Sequence, residues 1–310
     1  MRALVLGARG AVGRIVAEEL RAQGHTVTPA GRVEADGWAR IDLTGSDGLE
    51  ELRDQAAEHD VVVNVSGIEN PAVARGLSST VFVDVSATAH YLDRLAREAP
   101  PGAGLVLGAG LVPGLSTILL DALDARPGDE LDLAVILGGG EEHGAAAVAW
   151  TAGLAGRVLH DPPEAEEVPN LRETRRLPGP LGLRRHLRAD FPDHLLVGAR
   201  RDVAVRSYLA IDSRIATSAL AVVGRFPVLR GLVRHAPHLG SRAWSLTALN
   251  RRTGDQLTAT GVGQSHATGI LTARMTTAAV RLRPTRAMTA ADTLSLDEVR
   301  QIPGIQVSRP

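Results

Sequence analysis

The sequence predicts an α/β fold in which a doubly wound parallel sheet is joined to a second domain of α/β (α+β) type. Through residues 1–108, short apolar segments alternate with amphipathic ones, as strands and helices do around a parallel sheet. A glycine-rich turn directly follows the first apolar segment. Two later segments, 61–63 and 81–83, are uninterrupted apolar runs, which is typical of strands covered by helices on both faces.

The elements of this first part follow from local patterns. Strands are predicted where β-branched and aliphatic residues cluster, and helices where apolar residues recur every three or four positions. The expected strands are Ala3–Leu6, His25–Pro29, Ala39–Ile41, Val61–Asn64, Val81–Val83 and Gly104–Leu107, and the expected helices are Ala11–Gln23, Leu49–Glu58, Pro71–Leu77 and Ala89–Glu98.

The second half breaks this alternation. His160–Arg188 is rich in Pro and Arg without a clean period, which indicates a long loop. Ala145–Ala155 and Ser213–Leu229 could be helices or, in part, buried strands. The other expected elements are strands at Leu131–Leu137, Val197–Ile211 and Gln256–Gln264, a helix at His266–Leu282, and a short helix with an extended tail at the end of the chain.

The turn after the first strand contains three glycines, each three positions from the next. Glycines so spaced, between a strand and a helix, are the pattern of a dinucleotide-binding loop in a Rossmann fold. They permit a tight turn, close backbone approach to a pyrophosphate, and close packing of helix on strand. The unpaired N–H groups at the helix N-terminus favour the phosphates. The loop residues expected to bind the dinucleotide are Gly7, Ala8, Arg9, Gly10, Ala11, Val12 and Gly13.

The end of the second expected strand decides between NAD and NADP. An NAD-preferring domain usually places an acidic residue there, whereas this chain has Arg32. A guanidinium can bind a 2′-phosphate through charge-assisted hydrogen bonds, so the sequence favours NADP; the alternative is a solvated loop arginine. After the third strand, Asp42 and Leu43 could hold adenine, and Thr44 and Ser46 could cap the next helix; the two roles are compatible.

Small residues follow the later strands and predict further cofactor contacts. Small side chains would let the dinucleotide approach the backbone, although Gly67 could equally serve a tight turn. A later glycine-rich stretch, GAGLVPGLS, holds more glycine than a plain turn needs. Close approach of a ligand would account for it. The residues expected to contribute here are Asn64, Val65, Ser66, Gly67, Ser86 and Gly110.

The order of these motifs resembles the saccharopine dehydrogenase-like NADP-binding oxidoreductases, whose members share a G-x-x-G-x-x-G start, an A-G-R and a G-a-G-x-x-P-G-l-s segment. The resemblance covers roughly residues 1–125. It implies a Rossmann domain, a second α/β domain that interrupts it, a terminal helix that returns to it, and NADP-dependent hydride transfer at a C=N, C=C or C–OH carbon. The motifs that carry it are GARGAVG, AGR, NVSG, FVDVSATAHY and GAGLVPGLS.

The amino-acid composition excludes several chemistries. The 310 residues include no Cys and no Lys, which excludes a thiol nucleophile, a Schiff-base lysine and the Tyr-x-x-x-Lys pair of classical short-chain dehydrogenases. A net charge of −1 and 3% aromatic residues do not favour nucleic-acid binding. No apolar run approaches the roughly 18 residues of a membrane span. We therefore expect a cytoplasmic protein with no membrane or nucleic-acid partner.

Candidate acid–base residues come from position alone. Asp84 and His90 follow the fifth expected strand, and His143 lies in a glycine-bracketed turn. Asp84 could instead cap the next helix, and each histidine could be a surface or capping residue. Glu141 and Glu142 beside His143 suggest a metal, but consecutive turn residues cannot converge on one ion, so no metal site is expected.

The predicted organisation is a dinucleotide-binding domain at 1–125, joined by the C-terminal segment 265–310, and a substrate and dimerisation domain at 126–264. We expect an NADP-dependent oxidoreductase that acts on a small molecule and forms a homodimer. The alternative is a non-catalytic NADP-sensing or scaffold protein. The arginine-rich stretch Arg172–Arg206 could attract a carboxylate-bearing substrate or form a solvated loop face.

Overall fold

The computed structural model describes residues 1–33, 35–77, 80–141, 145–164, 166–235 and 240–309. The chain divides into two compact units. The first unit comprises Met1–Leu115 and Thr268–Ser295, and the second comprises Ser116–Ala267 and Leu296–Pro310. The expected domain organisation differs from this division at residues 116–125, 265–267 and 296–310, which belong to the second unit rather than the first.

The first unit is built on a seven-stranded sheet whose pairings are all parallel. The strand order is β13-β6-β5-β4-β1-β2-β3, so the chain winds outward from β1 in both directions. This is the doubly wound arrangement that the alternating sequence predicts. The strands are β1 (Arg2–Leu6), β2 (Thr26–Gly31), β3 (Ala39–Arg40), β4 (Val61–Asn64), β5 (Val81–Asp84), β6 (Leu105–Leu107) and β13 (Ala287–Thr289).

Helices separate these strands in the chain. Helix α1 buries Gly13, Val16, Ala17 and Leu20, which recur at helical spacing and so form one apolar face. The helical segments are α1 (Ala11–Ala22), α2 (Gly48–Ala56), a 3-10 helix (Pro71–Gly76), α3 (Ala89–Glu98), α8 (Gln264–Leu282) and α9 (Ala290–Thr293). Helix α8 belongs to the first unit from Thr268 onward.

The second unit contains a mixed seven-stranded sheet of order β14-β12-β11-β7-β10-β9-β8. Only the central pair, β7 with β10, is parallel among its pairings, and the others are antiparallel. The strands are β7 (Glu130–Leu137), β8 (Thr174–Leu177), β9 (Arg184–Arg188), β10 (Ala204–Ile211), β11 (Ala243–Asn250), β12 (Gln256–Val262) and β14 (Ile305–Ser308). The predicted fold class, a parallel sheet domain with a second α+β domain, is confirmed.

Helical segments complete the second unit. Helix α7 begins at Arg214 because the Ser213 side chain accepts a hydrogen bond from the Ala216 N–H, which is an ordinary N-cap. The segments are α4 (Leu115–Asp121), α5 (Ala145–Leu154), a π-helix (His194–Gly198), α6 (Ala199–Arg201), α7 (Arg214–Arg225), a 3-10 helix (Pro227–His235) and α10 (Leu296–Arg300).

Two sequence predictions for the second unit are wrong, and one strand was missed. The expected loop over His160–Arg188 contains the antiparallel pair β8 and β9. The expected strand over Val197–Ile211 begins only at Ala204, because the preceding segment is helical. Strand β11, which lies beside β7 in the interior of the sheet, was not predicted.

Candidate functional site

The loops that carry the predicted cofactor residues start at one edge of the first sheet. The register pairs Leu6 with Asn64, Asn64 with Asp84, and Asp84 with Leu107. Strands β1, β4, β5 and β6 therefore end level with one another. In doubly wound sheets, ligands bind in the crevice outside the carboxyl ends of the strands, so this edge is the candidate site.

The glycine-rich loop packs closely against the loop that follows β4. Gly7 has a φ of +80°, and a Cβ built there would lie 2.5 Å from the Cα of Ser66. A Cβ at Gly13 would lie 2.3 Å from the carbonyl oxygen of Gly7. Both positions exclude any larger residue, since the backbone itself occupies the space. At Gly10 the nearest atom to a built Cβ is 3.3 Å away, so that position is less constrained.

The N-terminus of α1 lacks a side-chain cap. Gly10 is the N-cap, no side chain accepts a hydrogen bond there, and the first turn contains no acidic residue. The first N–H groups of a helix have no partner within it, and with the helix dipole they favour an anion. This end of α1 is suited to a pyrophosphate.

Positive charge is concentrated at the end of β2. The guanidinium of Arg9 lies over the ring of Trp38, with its Cζ 4.7 Å from the ring centroid. A Cβ at Gly31, the last residue of β2, would lie 3.8 Å from the same ring. Arg32 follows Gly31 and is exposed. Sequence patterns indicate Arg9 and Arg32 but not Trp38. Trp38 is brought to Arg9 by the conformation of the loop between β2 and β3.

Asp42 lies in a tight local turn near this positive charge. Its carboxylate accepts hydrogen bonds from the backbone N–H and the hydroxyl of Thr44. These bonds, with the charges of Arg32 and Arg40, lower the pKa of the Asp42 carboxyl. The N-cap of α2 is Asp47, so the interpretation of this stretch as a cap for α2 is wrong. Leu43, the neighbouring expected contact, is buried.

Asn64 and Asp84 join the ends of β4 and β5 through a buried network. The amide Nδ2 of Asn64 donates to Oδ2 of Asp84 over 2.7 Å, and the Tyr91 hydroxyl donates to the same oxygen over 2.9 Å. The Ser86 N–H donates to Oδ1 of Asp84 over 2.7 Å. Oδ1 of Asn64 accepts from the hydroxyl of Ser66. This network fixes the two loops that follow β4 and β5.

The Asp84 carboxyl is fully buried, and burial raises its pKa despite the three donors. The N-cap of α3 is Thr88, so Asp84 does not cap that helix. With both oxygens engaged inside the protein, its role in this structure is to hold Asn64, Ser86 and Tyr91 in place. The prediction of Asp84 as an acid–base residue is therefore not supported by its surroundings.

The other predicted acid–base residues have different settings. His90 is exposed in the first turn of α3. His143 lies outside the described residues. Glu141 is buried, and its carboxylate accepts hydrogen bonds from the N–H groups of Gln264 and Ser265, at the start of α8. Within the described part of the chain, no cluster of three or more His, Asp or Glu residues could hold a metal ion.

The glycines of GAGLVPGLS are required by the chain itself. Gly114 has a φ of +133°, and a Cβ there would lie 2.0 Å from the carbonyl oxygen of Gly110. Gly110 is buried and its N–H donates to the carbonyl of Pro113. The neighbouring carbonyl of Ala109 accepts from the Thr272 hydroxyl. Close packing of backbone on backbone thus accounts for this glycine content, and the expected ligand contact at Gly110 stays a prediction.

A buried carboxyl in the second unit has no sequence signal. Asp193 is fully buried, and its Oδ1 accepts hydrogen bonds from the hydroxyls of Ser116 and Thr117 over 2.8 and 2.9 Å. Its Oδ2 has no hydrogen-bond partner among the described residues. Burial raises the pKa of Asp193 to about 6. Ser116 and Thr117 lie 77 and 76 residues before Asp193, so no local pattern could have brought them together.

Ion pairs engage much of the arginine-rich stretch. Arg188 and Arg206 both contact the carboxylate of Glu164, and Arg175 contacts Asp132. Arg200 pairs with Asp121, while Arg201 donates to backbone carbonyls. These arginines organise the second unit's sheet and loops, which leaves less of their charge for a carboxylate-bearing substrate than the sequence suggests.

Comparison with protein families matches residues 3–111 to the NAD dependent epimerase/dehydratase family. No curated protein matches the chain. Among the described residues, no helix combines the length and apolar character needed to cross a bilayer.

Several solved structures share parts of the fold. A meso-dapdh mutant with DAP from Clostridium tetani E88 has 11% identity and a TM-score of 0.45, covering 97% of this chain and 99% of that one. The 3-alpha-hydroxysteroid dehydrogenase from Pseudomonas sp. B-0831, complexed with NADH, has 21% identity and a TM-score of 0.25, covering 29% of this chain and 49% of that one. The human epimerase family protein SDR39U1 with NADPH has 18% identity and a TM-score of 0.28, covering 50% and 61%. These values are too low to indicate an activity.

Proposed function

We propose that the chain is an NADP(H)-dependent oxidoreductase that transfers hydride to or from a C=N, C=C or C–OH carbon of a small molecule. The observation that carries the proposal is the combination at one sheet edge of the uncapped α1 N-terminus with the Arg9–Trp38 pair and Arg32. The family match over residues 3–111 supports a nicotinamide dinucleotide. The finer assignment to the saccharopine dehydrogenase-like type rests on the motif resemblance alone.

The glycine-rich loop would hold the cofactor's pyrophosphate. Gly7 and Gly13 let the loop pack directly on the backbone of Ser66 and Ala8. The N–H groups of Ala11 and Val12, in the first turn of α1, have no acceptor within the helix and would donate to the pyrophosphate. NADP supplies the hydride or accepts it when bound. The residues of this chain bind and orient it, and exclude water from the reacting carbon.

The two arginines would distinguish NADP from NAD. Arg9 is already held over Trp38. Its side chain therefore loses less conformational entropy when it binds a phosphate. Arg32 follows β2 directly, where the adenosine ribose is bound in Rossmann folds. A 2′-phosphate between two guanidinium groups forms charge-assisted hydrogen bonds that NADH cannot form. Asp42, whose carboxyl is ionised and lies near Arg32, would limit this attraction but not reverse it.

A non-catalytic NADP sensor is the second candidate, because the carboxyl of Asp84, one of the acid–base candidates of the first unit, is held by hydrogen bonds inside the protein. Asp84 is buried with both oxygens engaged, and His90 is exposed. A sensor would bind NADPH without consuming it. An enzyme that uses only cofactor orientation and substrate binding would also need no such residue.

Binding and turnover measured separately test both candidates. Fluorescence titration should show tighter binding of NADPH than of NADH, and a panel of imines, enoyl compounds and alcohols should then include one that changes the nicotinamide absorbance. Tighter binding of NADH contradicts the NADP assignment. Tight NADPH binding without turnover across the panel favours the sensor.

A further inference from the structure

Helix α7 and the 3-10 segment after it present an apolar stripe to solvent. Ile215 and Val228 are 83% and 89% exposed, and Val222 and Phe226 are about half exposed. Positions 215, 222 and 226 are separated by seven and four residues, which places them on one side of the helix. We refer to Ile215, Val222, Phe226 and Val228 as the α7 stripe. It is separate from the buried face of the helix, which is formed by Thr217, Leu220, Val223 and Gly224.

The described charged side chains of α7 and the 3-10 segment are all arginines. Arg214 and Arg225 each precede a stripe residue by one position, which sets them about 100° around the helix from the stripe, and both are exposed. Arg230 is exposed in the 3-10 segment. The sequence contains no Asp or Glu between Asp212 and Asp255. The Asp212 carboxylate is itself occupied by the backbone N–H groups of Gly139, Ser213 and Ser241.

We propose that the α7 stripe is a docking surface for an anionic phospholipid bilayer. The apolar side chains enter the headgroup region, and the neighbouring arginines contact lipid phosphates. An exposed apolar stripe of Ile, Val and Phe with arginines at its side resembles the amphipathic elements that lie in a membrane interface. Basic residues beside such a surface add attraction to anionic lipids.

The charge pattern argues against a second copy of the chain on this surface. A two-fold, antiparallel pairing of α7 with itself would bring Arg214 of one copy towards Arg225 of the other. Contacts between like charges are unfavourable at interfaces, and neither helix carries an acidic residue to compensate.

The size of the stripe argues against a stable protein partner. A standard protein–protein interface has an apolar core within about 20–30 residues from each side, whereas among the described residues of α7 and the 3-10 segment the large exposed apolar side chains are the four of the stripe. A bilayer needs no matching shape, and a few inserted side chains with basic neighbours give reversible binding. A bilayer with anionic headgroups therefore fits this surface best, and the inference does not depend on the proposed cofactor or reaction.

Vesicle sedimentation of the full-length protein tests the proposal. The protein should sediment with vesicles of phosphatidylcholine and phosphatidylglycerol, and roughly tenfold more weakly with phosphatidylcholine alone, since several arginines each contribute to binding. Raising the salt from about 0.1 M to about 1 M should weaken the binding, because it shortens the Debye length from roughly 10 Å to 3 Å. Failure to sediment with the anionic vesicles, or equal binding to both vesicle types, overturns the proposal.

Matched variants locate the surface. Ile215→Asp and Val228→Asp should each reduce binding to anionic vesicles about tenfold, while Val262→Asp, at a position 65% exposed in β12, makes the same chemical change elsewhere in the unit and should not. Circular dichroism checks that each variant folds. An equal loss in the Val262 variant assigns the effect to net charge and contradicts the location. If the α7 variants instead abolish self-association and leave vesicle binding unchanged, the occupant is a second copy and the proposal is wrong.

Discussion

The guanidinium of Arg9, in the glycine-rich loop, stacks on the indole of Trp38, which lies in the loop between β2 and β3. The contact joins two loops at the same edge of the first sheet. It fixes a positive charge where the adenosine end of a dinucleotide is bound in Rossmann folds.

Arg9→Ala should weaken NADPH binding by about 10- to 100-fold, the range expected for loss of one hydrogen bond to a charged group. NADH binding should change little, because NADH has no 2′-phosphate. Fluorescence titration of both cofactors measures the two affinities. Arg21→Ala serves as the control, because it removes an exposed charge from the far end of α1, the helix that follows the loop. Equal losses for NADPH and NADH in Arg9→Ala would contradict the 2′-phosphate assignment.

Gly13→Ala should destabilise the first unit by about 1–3 kcal/mol, because the added methyl group meets the carbonyl oxygen of Gly7 and the backbone must move. Gly10→Ala should have a smaller effect, since its nearest neighbour lies 3.3 Å away. Thermal unfolding compares the two variants. Gly153→Ala, in α5 with no atom within 4 Å of the added Cβ, should be neutral or stabilising. Equal melting temperatures for all three variants would show that the loop is not packed as described.

The contribution of Asp193 to the stability of the second unit should fall as the pH rises from about 4 to about 6. Burial raises the pKa of Asp193 to about 6, above the roughly 3.9 of an unfolded Asp. The folded state therefore holds its proton more tightly, and the stabilisation present at low pH is lost through this window. The loss amounts to about 3 kcal/mol by linkage.

Asp193→Asn removes that titration, so it should gain stability relative to the natural chain as the pH rises. Urea unfolding at several pH values measures the difference. Asp297→Asn, at an exposed position in α10, should show no such trend. A constant difference between Asp193→Asn and the natural chain across the pH range would exclude a buried, proton-holding Asp193.

Glu141→Ala should destabilise the start of α8 by about 1–2 kcal/mol, because two N–H groups lose their acceptor. Glu141→Gln keeps an acceptor oxygen and should lose less. Hydrogen exchange at Gln264 and Ser265 reports the local effect directly. Glu58→Ala, which breaks an exposed pair with Arg2, should leave that exchange unchanged, and protection that survives in Glu141→Ala would rule out the capping role.

The sequence predicts the first unit well because its strands and turns carry local signals. Val61–Asn64 was predicted with its observed bounds, since an uninterrupted apolar run between polar residues has few alternatives. The glycines at Gly7 and Gly13 mark the loop because no other residue fits there. Contacts such as Asn64 with Asp84 needed the strand register, which no single segment encodes.

Strands β8 and β9 of the second unit were missed because charged residues obscure them. Arg184 and Arg188 in β9 are both buried, and the guanidinium of Arg188 is neutralised by Glu164. A pattern based on apolar residues treats such a segment as a loop. The buried site of Asp193 was also missed, because only the fold brings Ser116 and Thr117 to its carboxylate.

Strand β14, at Ile305–Ser308, pairs antiparallel with β12 and forms the last strand on that side of the second sheet. This four-residue strand thus covers backbone N–H and C=O groups of β12 between Thr258 and Gly261. Shortening the chain before Ile305 would leave those groups open to strands from other molecules, which is how sheet edges nucleate aggregation. Any expressed form of the protein should therefore retain this segment, and an affinity tag is better attached through a flexible linker than fused directly to it.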